Sequence, residues 1–302
     1  MLLPFRVTSA LLTRGLNKTF LNAAVKRSTG TSSRTTENIE LTAEYTMEKV
    51  SESVQRAMPD VINGLDTKGW AVLDNFLGER LCHEMRKEAV SLYDSNYYSI
   101  SQSTRWDSAT NSSISYDKHN VFSMQLDGGD QYYIAPRLHE YMVSLTRSVV
   151  PLLSTQYPEA MLSSTMMSNK LAVCTGNGSA YDKHYDNSGM QDTRKVTILY
   201  YMNHWRPECG GCFRIYVPSK SSNNGVVTAS RSSSGDETVD IEPRADRLLV
   251  FWSDRLVHSV QPSEAPMGEI DHRYALTLWL TSVTPDAIVR DDAEIKKHFG
   301  EF

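Results

Sequence analysis

The feature that most constrains the fold is a change of hydrophobic pattern near residue 170. Before it, apolar residues recur at three- and four-residue steps, which is typical of amphipathic helices. After it, short apolar runs rich in Val, Ile, Leu, Tyr and Trp alternate with turn residues, which is typical of strands. Helices followed by strands predict an α+β protein built on a sandwich or a jelly-roll-like barrel.

The pattern also predicts where the elements lie. Helices are expected at 38–66, 79–94 and about 137–156. Strands are expected at 70–73, 121–126, 170–174, 196–202, 212–217, 247–252 and 273–281. Residues 95–118 are rich in Ser, Asn, Asp and Tyr and are interpreted as a long loop. Residues 219–236, rich in Ser, Asn and Gly, are interpreted as a flexible excursion.

The first 36 residues differ in charge from the rest of the chain. They contain six Lys or Arg residues and no acid, and the first acid is Glu37. This basic, Ser- and Thr-rich composition is typical of a mitochondrial transit peptide. A disordered tail in a cytoplasmic or nuclear protein is the main alternative, and a secretory signal is disfavoured because Arg14 interrupts a short apolar stretch. The predicted organisation is therefore a targeting or disordered segment at 1–36, a helical region at 37–68, a domain at 69–285 with its core at 170–282, and a tail at 286–302.

Composition excludes several classes of function. A net charge of −5 gives no overall attraction to nucleic acid. No apolar run reaches the ~18–20 residues of a membrane helix, so integral membrane association is not expected. Four cysteines in 302 residues do not form a disulfide scaffold. Cys209 and Cys212 form one Cys-x-x-Cys pair, and packing is favoured there over a redox or metal role because no second pair exists.

A His-x-Asp triplet, His184-Tyr185-Asp186, is the first candidate for chemistry. On a strand, residues two apart point to one face, so the imidazole and the carboxylate would converge. His258, after the apolar run 248–252, is placed to supply a third ligand. Two His and one carboxylate leave open positions, as in non-haem Fe(II) oxygenases. The competing interpretation is a solvated pair in a turn.

Arg273, on the next apolar run, favours the metal interpretation. A guanidinium can make a two-pronged contact with a dicarboxylate held by the metal. The alternative is a structural ion pair of Arg273 with Asp271 or Glu269.

Taken together, these residues resemble a known family. The segment Gly176–Asn187, then Arg194–Thr197, Tyr200–Asn203, Gly210–Ile215, Asp240–Pro243, Asp246–Arg255, His258–Pro262 and Arg273–Ala275, resembles the Fe(II)/2-oxoglutarate-dependent dioxygenases in this order. The closest resemblance is to prolyl hydroxylases of the hypoxia-inducible-factor type. It is strong over about 170–282 and weaker at 69–77. It implies a double-stranded β-helix core supported by N-terminal helices.

The resemblance also implies roles for individual residues. The metal ligands and catalytic residues match His184, Asp186 and His258, and the cosubstrate-binding residues match Arg273, Tyr201 and Thr277. The aromatic residues of the substrate mouth match Tyr181 and Trp279, and Arg194 matches a basic residue beside the target proline; simple packing and a surface charge are the alternatives for these three. One departure is Cys174-Thr175, which stands where the family's close members carry Tyr-Pro.

The implied cofactors are Fe(II), with 2-oxoglutarate and O2 as cosubstrates and L-ascorbate as reductant. The implied activity is hydroxylation of a prolyl residue in a protein or peptide partner, with release of succinate and CO2. The same chemistry on a small molecule or another side chain is an alternative, and so is a non-catalytic barrel used as a binding module. Because imidazoles bind metal only when deprotonated, we expect activity to fall as the pH drops through about 6.5.

Overall fold

The computed structural model describes residues 5–6, 41–107, 112–189, 191–217 and 237–290. The excursion expected at 219–236, most of the segment expected at 1–36 and the end of the tail expected at 286–302 lie outside the described residues.

Three long helices lie before residue 160, as the sequence predicts. They are α1 (Ala43–Thr67), α2 (Glu79–Asp94) and α4 (Pro136–Gln156), with a short α3 (Asp130–Ile134) before the last. Helix α1 begins later than predicted because Thr42 caps it: the Thr42 Oγ1 accepts a hydrogen bond from the Tyr45 amide at 3.1 Å. None of the helices in the described part of the chain is long and apolar enough to cross a membrane.

Twelve strands form two antiparallel sheets within the described residues. They are β1 (Phe5–Arg6), β2 (Trp70–Leu73), β3 (Ser99–Asp107), β4 (Ser112–Met124), β5 (Leu162–Cys174), β6 (Ser179–His184), β7 (Arg194–Tyr201), β8 (Phe213–Val217), β9 (Glu237–Ile241), β10 (Arg247–Trp252), β11 (His258–Ser263) and β12 (Arg273–Ser282). The large sheet has the order β2-β10-β7-β12-β5-β4-β3, with β1 added beside β5. The small sheet has the order β6-β11-β8-β9.

The central strands of the large sheet, β7, β10 and β12, are buried on both faces, which explains why they are nearly continuous apolar runs. On β7, Ile198 and Tyr200 pack with the helices in one hydrophobic cluster, whereas Leu199 and Tyr201 face the small sheet in a second cluster. Helix α1 contributes to the first cluster with α2 and α4, so the N-terminal helical region packs on the barrel. The second cluster fills the space between the sheets, beside the predicted site.

The prediction of a long loop at 95–118 is wrong. Most of the described residues in this range lie in the antiparallel strands β3 and β4, in which Gln102 lies opposite Asp117 and Thr104 opposite Ser115. Both strands carry mostly polar and exposed side chains in this part, so the sequence lacks the apolar alternation that indicates a half-buried strand. The pairing of β4 with β5 continues the large sheet outwards. The hairpin therefore stands at the edge of the barrel mouth.

Candidate metal centre

Two neighbouring strands of the small sheet bring the predicted histidines together. His184 ends β6 and His258 begins β11, and the two residues are direct partners in the antiparallel register. Their ring centroids lie 4.3 Å apart. The side chain of His258 is only 4% exposed, whereas that of His184 is 38% exposed, so the pair spans the wall and the mouth of the barrel.

Asp186 lies just past the end of β6, in a bend, and completes the cluster. Its Oδ1 is 3.7 Å from the Nε2 atom of His184 and 3.7 Å from that of His258. One ligand atom from each of the three residues lies within 4.8 Å of the other two. The turn thus performs the convergence that the His-x-Asp spacing predicts for a continuous strand.

Hydrogen bonds fix the orientation of all three side chains. The His184 Nδ1 lies 2.6 Å from the Asp182 carbonyl and the His258 Nδ1 lies 3.2 Å from the Leu256 carbonyl. Because a carbonyl can only accept, each Nδ1 carries the hydrogen and each Nε2 keeps its lone pair for a metal. Thr197 Oγ1 donates to Asp186 Oδ2 at 2.7 Å, which leaves Oδ1 turned to the histidines.

The protonation states suit a ligand set. Burial, together with the neighbouring His184, lowers the pKa of His258 to about 4 against the opposing effect of Asp186. His258 is therefore neutral well below pH 6.5. Burial alone would raise the pKa of Asp186, but His258, His184 and Thr197 outweigh it and hold that pKa far below its usual range. Two imidazoles and one carboxylate form a facial set that suits Fe(II).

Arg273 lies on the inner face of the large sheet, at the start of β12. Its Nε donates to the Gly211 carbonyl at 3.0 Å, and its guanidinium lies 5.1 Å from the centre of the Tyr201 ring. Gly211, at φ +68°, allows this approach, because a Cβ there would lie 3.0 Å from Arg273 Cδ. Arg273 forms no ion pair with Asp271 or Glu269 among the described residues, and Asp271 instead binds Arg206 at 2.8 Å.

Two polar atoms in this pocket are buried without a partner among the described residues: Nη2 of Arg273 and the hydroxyl of Tyr201. Burial raises the pKa of Tyr201 to about 12, so the hydroxyl keeps its proton. Both atoms are donors with nothing to bind, which is costly unless a ligand supplies an acceptor. This donor set suits the distal carboxylate of 2-oxoglutarate.

The remaining predicted residues occupy the same interior. Thr277 lies on β12 opposite Leu199 and is half-buried. The guanidinium of Arg194 lies 5.4 Å from the centre of the Trp279 ring and pairs with Asp192. Tyr181, on β6, is half-buried near the mouth.

Sequence reasoning gave no site role to four residues here, although it noted Cys174 as a departure from the family. Thr197, Cys174, Lys118 and Lys170 reach the site only through strand register: Cys174 lies opposite Arg273, and Lys170 lies opposite Thr277. Alternation along β5 predicts that Lys170 and Cys174 lie on one face of the strand. The strand pairing that turns this face to the site cannot be predicted from a local sequence pattern. Cys209 and Cys212 are free thiols, the first buried and the second half-buried.

Comparison with known proteins agrees with this geometry. The model of the 2OG-Fe(II) oxygenase superfamily matches residues 170–281, which hold all three ligands and Arg273. The match covers 112 of the 302 residues. The resemblance and the double-stranded β-helix fold expected from the sequence are thereby confirmed. The superfamily's name specifies Fe(II) and 2-oxoglutarate.

Two individual relatives are similar to most of this chain. The chain is 32% identical over 225 residues to a hypoxia-inducible factor prolyl hydroxylase of Caenorhabditis elegans, covering 72% of this chain and 27% of that protein. It is 29% identical to Egl nine homolog 1 of Homo sapiens, covering 82% and 51%. The chain thus spans between about a quarter and a half of these relatives.

Solved structures agree on the fold. A prolyl hydroxylase of Trichoplax adhaerens, in complex with a peptide of the hypoxia inducible factor oxygen degradation domain, superposes with a TM-score of 0.60 at 27% identity, covering 82% of this chain and 97% of that one. A prolyl 4-hydroxylase of Phytophthora capsici superposes with a TM-score of 0.56 at 23% identity, covering 88% and 76%.

Proposed function

We propose that this protein is a Fe(II)- and 2-oxoglutarate-dependent dioxygenase that hydroxylates a prolyl residue of a protein or peptide. The observation that carries the proposal is the joint placement of two sites in one barrel. His184, Asp186 and His258 converge on one point, and the unpartnered donors of Arg273 and Tyr201 occupy the same interior.

Each residue has a defined part. The Nε2 atoms of His184 and His258 and Oδ1 of Asp186 would hold the iron, and Arg273 with Tyr201 would orient the distal carboxylate of 2-oxoglutarate. When bound, the iron and the keto acid supply the oxidative decarboxylation and the oxidant that hydroxylates the substrate. The protein positions the reactants and excludes water, chiefly through the apolar cluster between the sheets.

The prolyl substrate is supported by the named activities of the relatives and of the structural neighbours. Tyr181, Trp279 and Arg194 are proposed to contact it at the mouth. L-ascorbate as reductant and a mitochondrial location, the latter from the basic composition of residues 1–36, belong to the same proposal.

The test is mass spectrometry of candidate prolyl peptides incubated with the protein, Fe(II), 2-oxoglutarate and ascorbate. The expected result is succinate formation and the gain of one oxygen on proline, both abolished by Asp186→Ala. Succinate without any oxidised peptide would favour a small-molecule substrate. Failure to bind iron or 2-oxoglutarate would favour a non-catalytic binding module.

A further inference from the structure

Two lysines at the mouth have no part in the function proposed above. The Nζ atoms of Lys118, on β4, and Lys170, on β5, lie 4.8 Å and 5.2 Å from the centre of the Tyr181 ring. Both side chains are half-buried. The two strands come from opposite sides of helices α3 and α4 in the chain, so this pairing of cations exists only in the folded protein.

Strand register places Lys170 inside the barrel. It lies directly opposite Thr277, and direct partners in an antiparallel pair project to the same face. Arg273 and Thr277, four residues apart on β12, also share this face. Lys170 therefore projects towards the interior that holds the candidate metal centre, at a level nearer the mouth than Arg273.

The β3–β4 hairpin brings Lys118 to the same place. It is fastened to the region of β6 by two contacts: the Tyr116 hydroxyl donates to Asp182 Oδ2 at 2.8 Å, and the His119 Nε2 lies 3.1 Å from the Asn177 carbonyl. Lys118 itself donates to the Gln102 carbonyl across the hairpin at 3.2 Å. This bond engages one of its three ammonium hydrogens and leaves the others for a ligand.

Neither ammonium forms a direct ion pair with a carboxylate of the described residues, although the more distant Asp182 and Asp186 favour the charged form of Lys118, and Asp186 that of Lys170. Among the described residues, no Asp or Glu oxygen lies within 4.0 Å of the Nζ atom of Lys118 or Lys170, whereas nearby Arg194 is paired with Asp192. Burial lowers the pKa of Lys118 to about 8, and the charge of Lys170 contributes to the decrease. Burial also lowers the pKa of Lys170, against the opposing effect of Asp186. Two half-buried cations that repel each other are costly unless an anion joins them.

We propose that Lys118 and Lys170 together bind the carboxylate of an Asp or Glu side chain in the substrate, close to the residue that is hydroxylated. The inference rests on the proposed function and narrows its substrate class to acidic peptides. Lysines act as separate point charges, so each can bind one carboxylate oxygen. The methylene groups of the acidic residue would contact the Tyr181 ring between them. Arg273 remains available for the dicarboxylate cosubstrate deeper in the barrel.

The probe is a set of fluorescein-labelled nonapeptides with a central proline in an alanine background. Each flanking position in turn carries Glu or its neutral isostere Gln. Binding to the full chain, loaded with Mn(II) and 2-oxoglutarate so that no turnover occurs, is followed by fluorescence anisotropy. We expect Glu to bind about ten- to a hundred-fold more tightly than Gln at one position, as is usual for hydrogen bonds between charged groups.

Variants assign this preference to the two lysines. In Lys118→Met with Lys170→Met the Glu-to-Gln ratio falls to near one, while the double Arg variant retains a preference. Lys87→Met is the matched control, because Lys87 lies on α2, is exposed and pairs with Glu84 at 2.8 Å. Unchanged thermal unfolding and an unchanged dissociation constant for 2-oxoglutarate show that the Met variants remain folded with the cosubstrate pocket intact.

The outcomes are distinguishable. Peptides that bind and are hydroxylated with equal affinity for Glu and Gln at every position overturn the acidic-peptide inference but leave the proposed function standing. Weakened 2-oxoglutarate binding in Lys170→Met would assign this lysine to the cosubstrate instead and also overturns the inference. Succinate formation with no peptide bound overturns the prolyl-peptide function and the inference with it.

Discussion

Replacing Arg273 with Met separates the contribution of this residue to ligand binding from its contribution to folding. Arg273 donates from Nε to the Gly211 carbonyl and also interacts with the Cys174 side chain, whereas its Nη2 is buried without a partner among the described residues. Losing the Nε bond costs about 1 kcal/mol of unfolding free energy. Removing a buried charge without a counter-ion returns a similar amount or more. We therefore expect the ligand-free variant to be as stable as the parent, or slightly more stable.

The effect on 2-oxoglutarate is expected to be large. Loss of a buried, charge-assisted contact typically costs about 2–5 kcal/mol, which is about a 30- to 4000-fold loss of affinity. Calorimetric titration of 2-oxoglutarate into the Mn(II)-loaded protein measures this loss, and urea unfolding of the ligand-free protein measures stability. The prediction is thus a loss of binding without a loss of stability.

Arg86→Met is the matched control. Arg86 is equally buried and also lies against an aromatic ring, 5.0 Å from the centre of Tyr274. Unlike Arg273, it donates to several acceptors, among them the carbonyls of Ile270 at 2.8 Å and His272 at 3.1 Å. Leaving these acceptors unpaired is expected to cost about 2–4 kcal/mol of stability with little change in 2-oxoglutarate affinity. If Arg273→Met is the destabilised variant and still binds 2-oxoglutarate, Arg273 is a structural residue and our reasoning about the pocket is refuted.

Three further predictions concern the metal ligands and the fold. His184→Ala should weaken Mn(II) binding by more than about 100-fold because one of three ligands is lost, whereas replacement of the exposed His83 by Ala should not. Competition with a chelating dye measures both affinities, and equal values would contradict the site. The pKa of His258 is about 4 in the folded protein and about 6.5 in the unfolded protein, so the unfolded state takes up the proton first. The unfolding free energy of the metal-free protein should therefore fall by up to about 3 kcal/mol as the pH decreases from about 6.5 to 4. Urea unfolding at several pH values should show this slope, and His258→Gln should reduce it. Asp246 accepts hydrogen bonds from the Leu77 and Gly78 amides, each at 2.7 Å, at the start of α2. Asp246→Asn should therefore lower the unfolding free energy by about 2–3 kcal/mol without changing the dissociation constant of the metal. An unchanged unfolding free energy in urea would count against this role.

The same pKa changes one expectation from the sequence. An ordinary imidazole predicts a fall of activity near pH 6.5, but His258 is stacked on Phe213 at 4.6 Å in the apolar interior. Burial favours its neutral form, so the contribution of His258 to any acid loss of metal binding lies nearer pH 4. Spacing along the chain cannot indicate this, because the shift arises from side chains brought by other strands.

The amino-acid sequence alone specifies the helices and strands that have a strong hydrophobic periodicity, and the residue types that could bind a metal. Helix α2 and strand β10 have the predicted bounds because apolar periodicity is a property of neighbouring residues. The β3–β4 hairpin was missed since its polar, exposed strands carry no such periodicity.

Tertiary structure alone decided which side chains meet. The register of β6 with β11 sets His184 beside His258, and that of β5 with β12 turns Lys170 to the same interior as Thr277. A slip of one residue would reverse the face of every side chain on a strand, and transfer of charged side chains such as Arg273 to the helix-facing apolar cluster selects against it. The reach of Lys118 to Tyr181 depends in turn on where the hairpin is fastened to β6. Long-range pairing, rather than any local pattern, therefore unites the candidate metal ligands, the proposed cosubstrate pocket and the two lysines.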